Sequence, residues 1–392
     1  MTNSSHEMMK FDFATSTRIL FGAGVVKELS SLLNQFGKRV MVIHTHNRHH
    51  LEEIEAILSE RNNTYVFFKV TGEPTIQTVS DAVSIARDFK CELIISIGGG
   101  SVIDCGKATA ALVTNPGEIT DYLEVIGLGK PILSKPVPLI AIPTTSGTGS
   151  EVTKNAVLGV PQRRIKVSMR HNWLIPLIAI IDPELTHSMP PQITAYTGMD
   201  AFTQVIEPYI SNKANFMTDV FCREAIQLAS KNLLLAYKDG MNINARAKMS
   251  FVSLMGGFCL ANAGLGAVHG LAGPIGGMYD SHHGAICASL LTYVLETNIN
   301  ALRSRDAENP VIDRFNEIGR LITGLNDANY EDGLNYIKKL CIELKIPRLS
   351  QLGILKEDFQ LIAEKSSSSS SMQGNPIKLN QEEILKILEN SY

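Results

Sequence analysis

The chain has 392 residues, of which 44% are hydrophobic and 19% charged, and its formal net charge is -3. This composition is too apolar for a disordered chain, and the length allows two domains, because single cores rarely grow past about 250–300 residues. The small negative charge gives no field that would attract nucleic acid or an anionic membrane, so neither is expected as a partner.

The cysteines and the N-terminus predict a cytoplasmic protein. The six cysteines are scattered and form no CxxC pair, which is typical of reduced thiols in a cytosolic protein. The first residues, MTNSSHEMMKFDF, lack the apolar centre of a signal peptide. No apolar run approaches the roughly 18 residues that cross a bilayer.

The first half of the chain alternates short apolar runs with amphipathic stretches. Five β-branched runs are too short for helices and predict buried strands at 40–44, 65–70, 92–97, 138–143 and 177–182. The amphipathic stretches predict helices at 25–34, 51–60, 78–88 and 101–112. This alternation predicts an α/β domain whose parallel sheet is covered on both faces.

The second half shows helical patterns only. Eight helices are predicted there, at 199–211, 216–236, 244–264, 281–297, 312–323, 331–344, 355–364 and 380–389. The Pro-rich link DPELTHSMPP separates the two halves. We therefore predict two domains, an α/β domain at 1–187 and an all-α domain at 188–392.

Two segments rich in glycine and hydroxyl groups follow predicted strands. GGGS at 98–101 leads from the third strand into a helix, and TTSGTGSE at 144–151 follows the fourth strand. Glycines let the main chain approach a pyrophosphate, and a helix N-terminus at the carboxyl edge of a parallel sheet offers free N–H donors. One such loop is equally compatible with a tight turn, whereas two together favour a nucleotide site. Asp104, in the first turn of that helix, is either a cofactor contact or a partner of the helix dipole.

Candidate metal ligands lie in the helical half. Asp200 and Gln204 are four residues apart, so both project from one face of a predicted helix. His269 follows a helix of small residues, and His283 follows a further Gly-rich stretch. A lone histidine is more often a surface or hydrogen-bonded core residue. An aspartate with two neutral imidazoles nevertheless suits Zn²⁺ or Fe²⁺, and three protein ligands are typical of a catalytic metal.

Several motifs in one order resemble the iron-containing (group III) alcohol dehydrogenases, relatives of glycerol dehydrogenase, lactaldehyde reductase and maleylacetate reductase. The main ones are GGGSVIDCGKA at 98–108, IPTTSGTGSEVT at 142–153, GMDAFTQVIEPY at 198–209 and VHGLAGPIGGMYDSHHG at 268–284. The resemblance implies a Rossmann-like N-terminal domain and an all-α C-terminal domain, a plan shared with dehydroquinate synthase. It also implies hydride transfer between a small alcohol or aldehyde and NAD(P), by a homodimer or higher homo-oligomer.

The resemblance assigns site residues by position. Those expected to bind the cofactor pyrophosphate, or to lie beside it, are Gly98, Gly99, Gly100, Ser101 and Asp104. Those expected around the rest of the nucleotide are Thr45, Thr144, Thr145, Thr148, Lys166 and Leu185. One divalent metal, Fe²⁺ or Zn²⁺, would bind Asp200, His269 and His283 between the domains and activate the substrate oxygen, which makes these three the expected catalytic residues.

Two positions depart from the family pattern. The iron enzymes usually carry histidines where Gln204 and Gly273 stand. A glutamine carbonyl is a harder and weaker ligand than imidazole, so Gln204 is a doubtful fourth ligand, and Zn²⁺ becomes as credible as Fe²⁺. The glycine enlarges the pocket beside the metal, and with Phe202, Met278 and Tyr279 it favours a modest, partly apolar alcohol.

The residues after the first predicted strand favour NADP over NAD. Relatives that prefer NAD tend to carry a carboxylate near Thr45, which accepts a hydrogen bond from the ribose 2′-hydroxyl. This chain has none there, and Arg48 or His46 is available to a 2′-phosphate.

Two other functions share some of these sequence features, a lyase and a non-catalytic nucleotide-binding protein. A dehydroquinate synthase-like lyase would need Lys and Arg near the metal for a phosphate-bearing substrate, and the segments around His269 and His283 contain none. A non-catalytic nucleotide-binding protein would explain the loss of histidine at Gln204 and Gly273, but the retained Asp200, His269 and His283 favour an enzyme.

Overall fold

The first part of the chain is built on a parallel sheet. The structure, a computed structural model, describes residues 11–45 and 47–392. Six strands form the sheet and two form a separate hairpin; in chain order they are β1 (Arg18–Phe21), β2 (Arg39–His44), β3 (Thr64–Lys69), β4 (Leu93–Gly98), β5 (Leu139–Pro143), β6 (Asn155–Val160), β7 (Ile165–Arg170) and β8 (Ile178–Ile181). The sheet order is β1-β8-β5-β4-β2-β3, and every pairing in it is parallel. The predicted α/β class with a parallel sheet is confirmed.

Helices cover both faces of this sheet, because its strands are apolar on both sides. The helices of this part are α1 (Leu29–Leu32), α2 (Arg48–Glu60), α3 (Ile76–Asp88) and α4 (Gly100–Thr114). Met41 and Ile43 face the layer that contains α3 and α4, and Val40 and Val42 face the layer of α1 and α2. This alternation is the two-residue period of a strand buried on both faces.

Two features of this part were not predicted. The edge strand β1 has only four residues and pairs with β8. The hairpin β6–β7 is antiparallel and pairs Val160 with Ile165 across a short turn. Alternating burial along β6 matches its alternating sequence NAVLGV, which is the pattern of a strand with one buried face.

The second part is helical from residue 191 onwards, as expected. Its helices are α5 (Pro191–Ile210), α6 (Phe216–Lys238), α7 (Ile243–Ala263), α8 (Ala267–Met278), α9 (His283–Arg305), α10 (Val311–Thr323), α11 (Tyr330–Glu343), α12 (Phe359–Ser367) and α13 (Gln381–Ser391). His269 follows α7 as expected, but it lies inside a further helix, α8, which was not predicted and which occupies most of the Gly-rich stretch before His283.

Helix α9 runs through the middle of the helical part. By length and composition it could cross a membrane, and so could the bent pair α7 and α8 taken as one span. However, 78% of the apolar window of α9 is buried inside the protein, as expected of a core helix. The last sheet strand ends at Ile181 and α5 begins at Pro191, so the segment between them joins the two parts.

Candidate active site

Two loops meet at the carboxyl edge of the sheet. Strands β4 and β5 are neighbours in register, with Gly98 opposite Pro143. The loops after them are therefore adjacent, and the backbone N–H of Thr144 donates to the carbonyl of Gly98 at 3.0 Å. A methyl group on Gly100 would lie 2.8 Å from the side chain of Thr148. The two segments identified separately in the sequence thus form one surface.

This surface is suited to a pyrophosphate. Helix α4 begins at Gly100, and its N-cap, Gly99, is extended and has no side-chain cap. A methyl group on Gly99 would lie 3.3 Å from the hydroxyl of Thr145. The helix N-terminus supplies free N–H donors and a partial positive charge, and the glycines leave the space that a phosphate group needs.

Asp104 has a role that neither sequence hypothesis included. One of its carboxylate oxygens accepts from the Ser150 hydroxyl at 2.5 Å, and the other accepts from the backbone N–H of Val157 at 2.9 Å. Burial raises the pKa of Asp104, while the buried ammonium group of Lys107 opposes that shift. Lys107 in turn donates to Ser150 and Thr153 at 2.7 and 2.9 Å. The pair joins α4 to the second loop and to β6.

Lys166 and Leu185 both follow the two loops in sequence. The ammonium group of Lys166, on β7, is 3.2 Å from Glu73 and lies beside Gly276 of α8. Leu185 is buried and lines a cleft of about 410 Å³, together with Lys27 and His49.

Thr45 is exposed immediately after β2. Its carbonyl accepts a hydrogen bond from the backbone N–H of Asn47, the N-cap residue of α2. His46, one of the two candidates for a 2′-phosphate, lies outside the described residues. The other, Arg48, is strongly exposed and pairs with Glu52 at 2.7 Å.

Three helices bring the predicted metal ligands together. Asp200 is on α5, His269 on α8, and His283 is the first residue of α9. The Nε2 atoms of His269 and His283 are 3.3 and 3.9 Å from Oδ1 of Asp200, and the two imidazole rings are 5.4 Å apart. Ligands separated by more than 60 residues in sequence therefore converge on one point.

The geometry of this cluster fits a metal ion. Oδ1 of Asp200 is buried and has no hydrogen-bond partner among the described residues, which is costly unless another group binds it. In a tetrahedral site with metal–nitrogen and metal–oxygen bonds of about 2.0–2.1 Å, ligand atoms are about 3.3 Å apart. The distance from Asp200 to His269, 3.3 Å, equals this value, and the distance from Asp200 to His283, 3.9 Å, is longer.

The charges of the cluster also favour a cation. Burial alone would raise the pKa of Asp200, but the imidazoles of His269 and His283 hold it below its ordinary value. Burial would likewise lower the pKa of His269, yet its neighbours, Cys287 and Glu207 foremost, raise it well above the usual value. The raised pKa of His269 shows an excess of negative charge around its ring, which a proton or a metal ion neutralises. The lowered pKa of Asp200 shows that positive charge on the imidazoles stabilises its carboxylate.

Glu207 contacts the Nδ1 side of the His269 ring, away from the Nε2 atom that faces Asp200. Its Oε2 is 2.6 Å from Nδ1 of His269, and its Oε1 accepts from the backbone N–H of Val268 at 2.6 Å. Asn375 accepts from the N–H of Ala267 at 3.1 Å and so caps the start of α8. A carboxylate that accepts from Nδ1 fixes the ring and leaves Nε2 free to bind a metal.

The structure adds a thiol to the cluster. Cys287 lies one turn after His283 on α9 and is fully buried. Its Sγ is 3.6 Å from Nε2 of His283, and it belongs with Asp200, His269 and His283 to a set of four ligand atoms within 4.8 Å of one another. Burial alone would raise the pKa of this thiol, but His283 and His269 hold it below its ordinary value.

Gln204 and Gly273, the two departures from the family pattern, have different surroundings. The side-chain nitrogen of Gln204 donates to the carbonyl of Gly147 at 3.0 Å, so this residue ties α5 to the second nucleotide loop. Gly273 lies one turn after His269 on α8, and a methyl group placed on it would meet nothing within 4 Å. Phe202, by contrast, is part of the helical core.

The sequence-based prediction did not identify three residues of the site, Glu207, Cys287 and Asn375. Glu207 lies seven residues after Asp200, two turns along the same helix face, and Cys287 lies four residues after His283. Those spacings were the available signals. Asn375 is far away in sequence, and no local pattern connects it to His269.

Comparison with known proteins agrees with this geometry. Residues 16–183 match the model of the iron-containing alcohol dehydrogenase family, and residues 194–392 match that of its C-terminal domain. The chain is 35% identical to alcohol dehydrogenase 4 of Saccharomyces cerevisiae, over 86% of each chain. It is 36% identical to 1,3-propanediol dehydrogenase of Klebsiella pneumoniae, over 83% of each. The crystal structure of a 1,3-propanediol oxidoreductase superposes with a TM-score of 0.90 at 29% identity, covering 98% of this chain and 100% of that one.

Proposed function

The chain belongs to the iron-containing alcohol dehydrogenase family and is a metal-dependent, nicotinamide-dependent alcohol dehydrogenase, and we propose that it acts on small, partly apolar alcohols and aldehydes with NADP(H). One observation carries the proposal. The unpartnered Oδ1 of Asp200 and the Nε2 atoms of His269 and His283 converge on one buried point, and Gln204 links the Asp200 helix to the nucleotide loop.

The metal ligands, Glu207 and the start of α4 have separate roles in the proposed reaction. Asp200, His269 and His283 would hold a divalent ion, which would supply Lewis acidity towards the substrate oxygen. Glu207 holds the His269 ring in one orientation. The free N–H groups at the start of α4 would bind the pyrophosphate of the dinucleotide, which would supply the hydride chemistry.

The substrate class follows from the open space beside the metal ligands. Gly273 lies on the His269 face of α8, and nothing occupies the volume that a side chain there would fill. Met278, at the end of the same helix, is largely buried and apolar. A short alkyl chain fits such a volume better than a second charged group does.

The substrate proposal is tested by steady-state kinetics on a series of primary alcohols and aldehydes. We expect Gly273→Leu to lower kcat/KM for the longer alcohols by about tenfold or more, because about 1.4 kcal/mol of steric cost is enough. The value for the shortest alcohol should change little. Gly273→Ala, which adds only a methyl group, is the matched control. Equal losses for short and long alcohols would contradict the proposal.

The preference for NADP is supported by the exposed end of β2. Thr45 is exposed and offers no carboxylate, and the exposed guanidinium of Arg48 lies three residues later, at the start of α2. We expect wild-type kcat/KM to be higher with NADP. Thr45→Asp should shift the NADP-to-NAD ratio towards NAD by at least about tenfold, because a carboxylate repels the phosphate and accepts from a free 2′-hydroxyl. Thr45→Asn is the neutral control, and a wild-type preference for NAD would overturn the proposal.

We also propose that the protein is a cytoplasmic homodimer. All six cysteines are free thiols, which suits a reducing compartment.

The edge strand β1 pairs only with β8 among the described residues, and Phe21 at its end is 37% exposed. An unpaired edge strand is a surface on which a second copy can continue the sheet. Sedimentation of the purified chain as a monomer would contradict the dimer.

A further inference from the structure

The metal cluster contains a fourth potential ligand that the sequence resemblance did not supply. Cys287 faces the same point as Asp200, His269 and His283, and its side chain is fully buried. Its Sγ is 3.6 Å from Nε2 of His283. In a tetrahedral zinc site with Zn–N of about 2.0–2.1 Å and Zn–S of about 2.3 Å, nitrogen and sulfur are about 3.6 Å apart. The observed separation, which is also that of a thiol–imidazole hydrogen bond, matches the separation of two ligands of one zinc ion.

Gln204 stands where the iron enzymes usually have a histidine, but its side-chain amide makes a different contact. Its side-chain nitrogen donates to the Gly147 carbonyl in the nucleotide loop. An amide that also bound the ion would have to present its oxygen, which is a harder and weaker donor than an imidazole nitrogen. The thiol of Cys287 needs no rearrangement, because it already lies one helical turn from His283 and points to the cluster.

We propose that Sγ of Cys287 is the fourth protein ligand of the metal, and that the resulting Asp-His-His-Cys site prefers Zn²⁺ to Fe²⁺. The proposal rests on the metal-dependent function described above. Thiolate is a soft donor, and sites that combine sulfur and imidazole select Zn²⁺ among the available divalent ions. Catalytic zinc sites with cysteine ligands accept the substrate oxygen, and zinc expands to five ligands when needed.

Cobalt spectroscopy of the full-length protein tests this proposal without any activity measurement. Metal is removed with a chelator, and Co²⁺ is titrated into the folded protein. We expect visible d–d absorption of a four-coordinate ion together with a near-ultraviolet band from charge transfer between thiolate and cobalt. Cys287→Ser should keep the d–d absorption and lose the charge-transfer band. Cys341→Ser, which changes a largely buried thiol on α11 outside the cluster, should keep both.

Competition between metals tests the selectivity. We expect Cys287→Ser to reduce the Zn²⁺-over-Fe²⁺ binding ratio by about tenfold or more, since losing even an outer contact to a ligand costs about 10–100-fold in affinity. Stoichiometric Co²⁺ binding to the wild type with d–d bands but no charge-transfer band would overturn the Cys287 assignment and leave the proposed function intact. No Co²⁺ binding at all would overturn both. These spectra come from the unsubstituted chain, so the result does not depend on how a variant folds.

Discussion

At the scale of single residues, Glu207 fixes the orientation of the His269 ring. It contacts both Nδ1 of the ring and the backbone N–H of Val268, each at 2.6 Å. These two contacts fix the ring and the first turn of α8 together. Because Nδ1 is occupied, Nε2 is the nitrogen that faces Asp200.

Replacing this carboxylate should weaken metal binding without removing a ligand. We expect Glu207→Gln to lower metal affinity by about 10–100-fold, because the amide is a poorer acceptor and holds the ring less firmly. Activity should fall at limiting metal and recover largely at saturating metal. Isothermal titration of the chelator-treated protein measures the affinity. Glu317→Gln, which changes a carboxylate paired with Arg223 outside the cluster, is the control.

An unchanged affinity in Glu207→Gln would contradict this role. A loss of activity that saturating metal does not restore would also do so, since it would point to a defect in the fold or in substrate binding. The control separates these cases, because a general loss of stability would affect both variants.

Much of the metal cluster was predictable from residue types, and the rest depended on folding. Asp200, His269 and His283 were identified because their motif resembles a family that binds metal through them. Cys287 looked like an ordinary buried thiol, since four residues after a histidine is a common place for a core residue on a helix. Only the convergence of α5, α8 and α9 shows that its sulfur faces the other ligands.

At the scale of elements, the start of α4 and the loop at 144–151 act as a pair. Gly100 is the first residue of the helix, and a Cβ placed on it would lie 2.8 Å from the side chain of Thr148. Any side chain on Gly100 must therefore displace the Thr148 side chain in the other loop. The nucleotide site therefore depends on the spacing between two elements rather than on one motif.

A methyl group at this position should impair cofactor binding. We expect Gly100→Ala to raise the KM for the dinucleotide by about tenfold, because its Cβ would lie 2.8 Å from Thr148 and overpacking costs about 1–3 kcal/mol. kcat should change much less, since the metal ligands lie on other helices. Gly99→Ala is the matched control, with its nearest contact at 3.3 Å. Equal effects of the two substitutions on KM would contradict the steric explanation.

Sequence patterns predicted the regular elements better than the irregular ones. The five buried strands were found because each is an apolar run of the right length. The hairpin β6–β7 was missed because its strands are amphipathic and face α4 from outside the main sheet. Helix α8 was missed because glycine and proline disfavour helix. Tertiary contact explains one of its glycines, since Gly277 packs against the backbone of Ile165 on β7.

At the scale of the whole molecule, the second nucleotide loop is held by the helical part. The Ser146 and Ser250 hydroxyls are 2.9 Å apart, and Gln204 donates to Gly147. Gly149, with φ of +60°, lets the loop turn against Gly257 of α7. The loop at 144–151 is thus held by α7 and by α5, the helix that carries Asp200. The division at 187 and 188 stays a prediction, but these contacts join the α/β part to the helical part close to Asp200.

The most direct test of the account is to measure bound metal and kcat together. Wild type, chelator-treated protein, reloaded protein, Asp200→Ala and His269→Ala are compared, with the exposed Asp81→Ala as control. We expect both site variants to lose bound metal and at least about a hundredfold in kcat, because the ion contributes several kcal/mol of charge stabilisation. Chelated protein should recover on reloading, and Asp81→Ala should match wild type. Full kcat in protein shown to be free of metal would contradict the account.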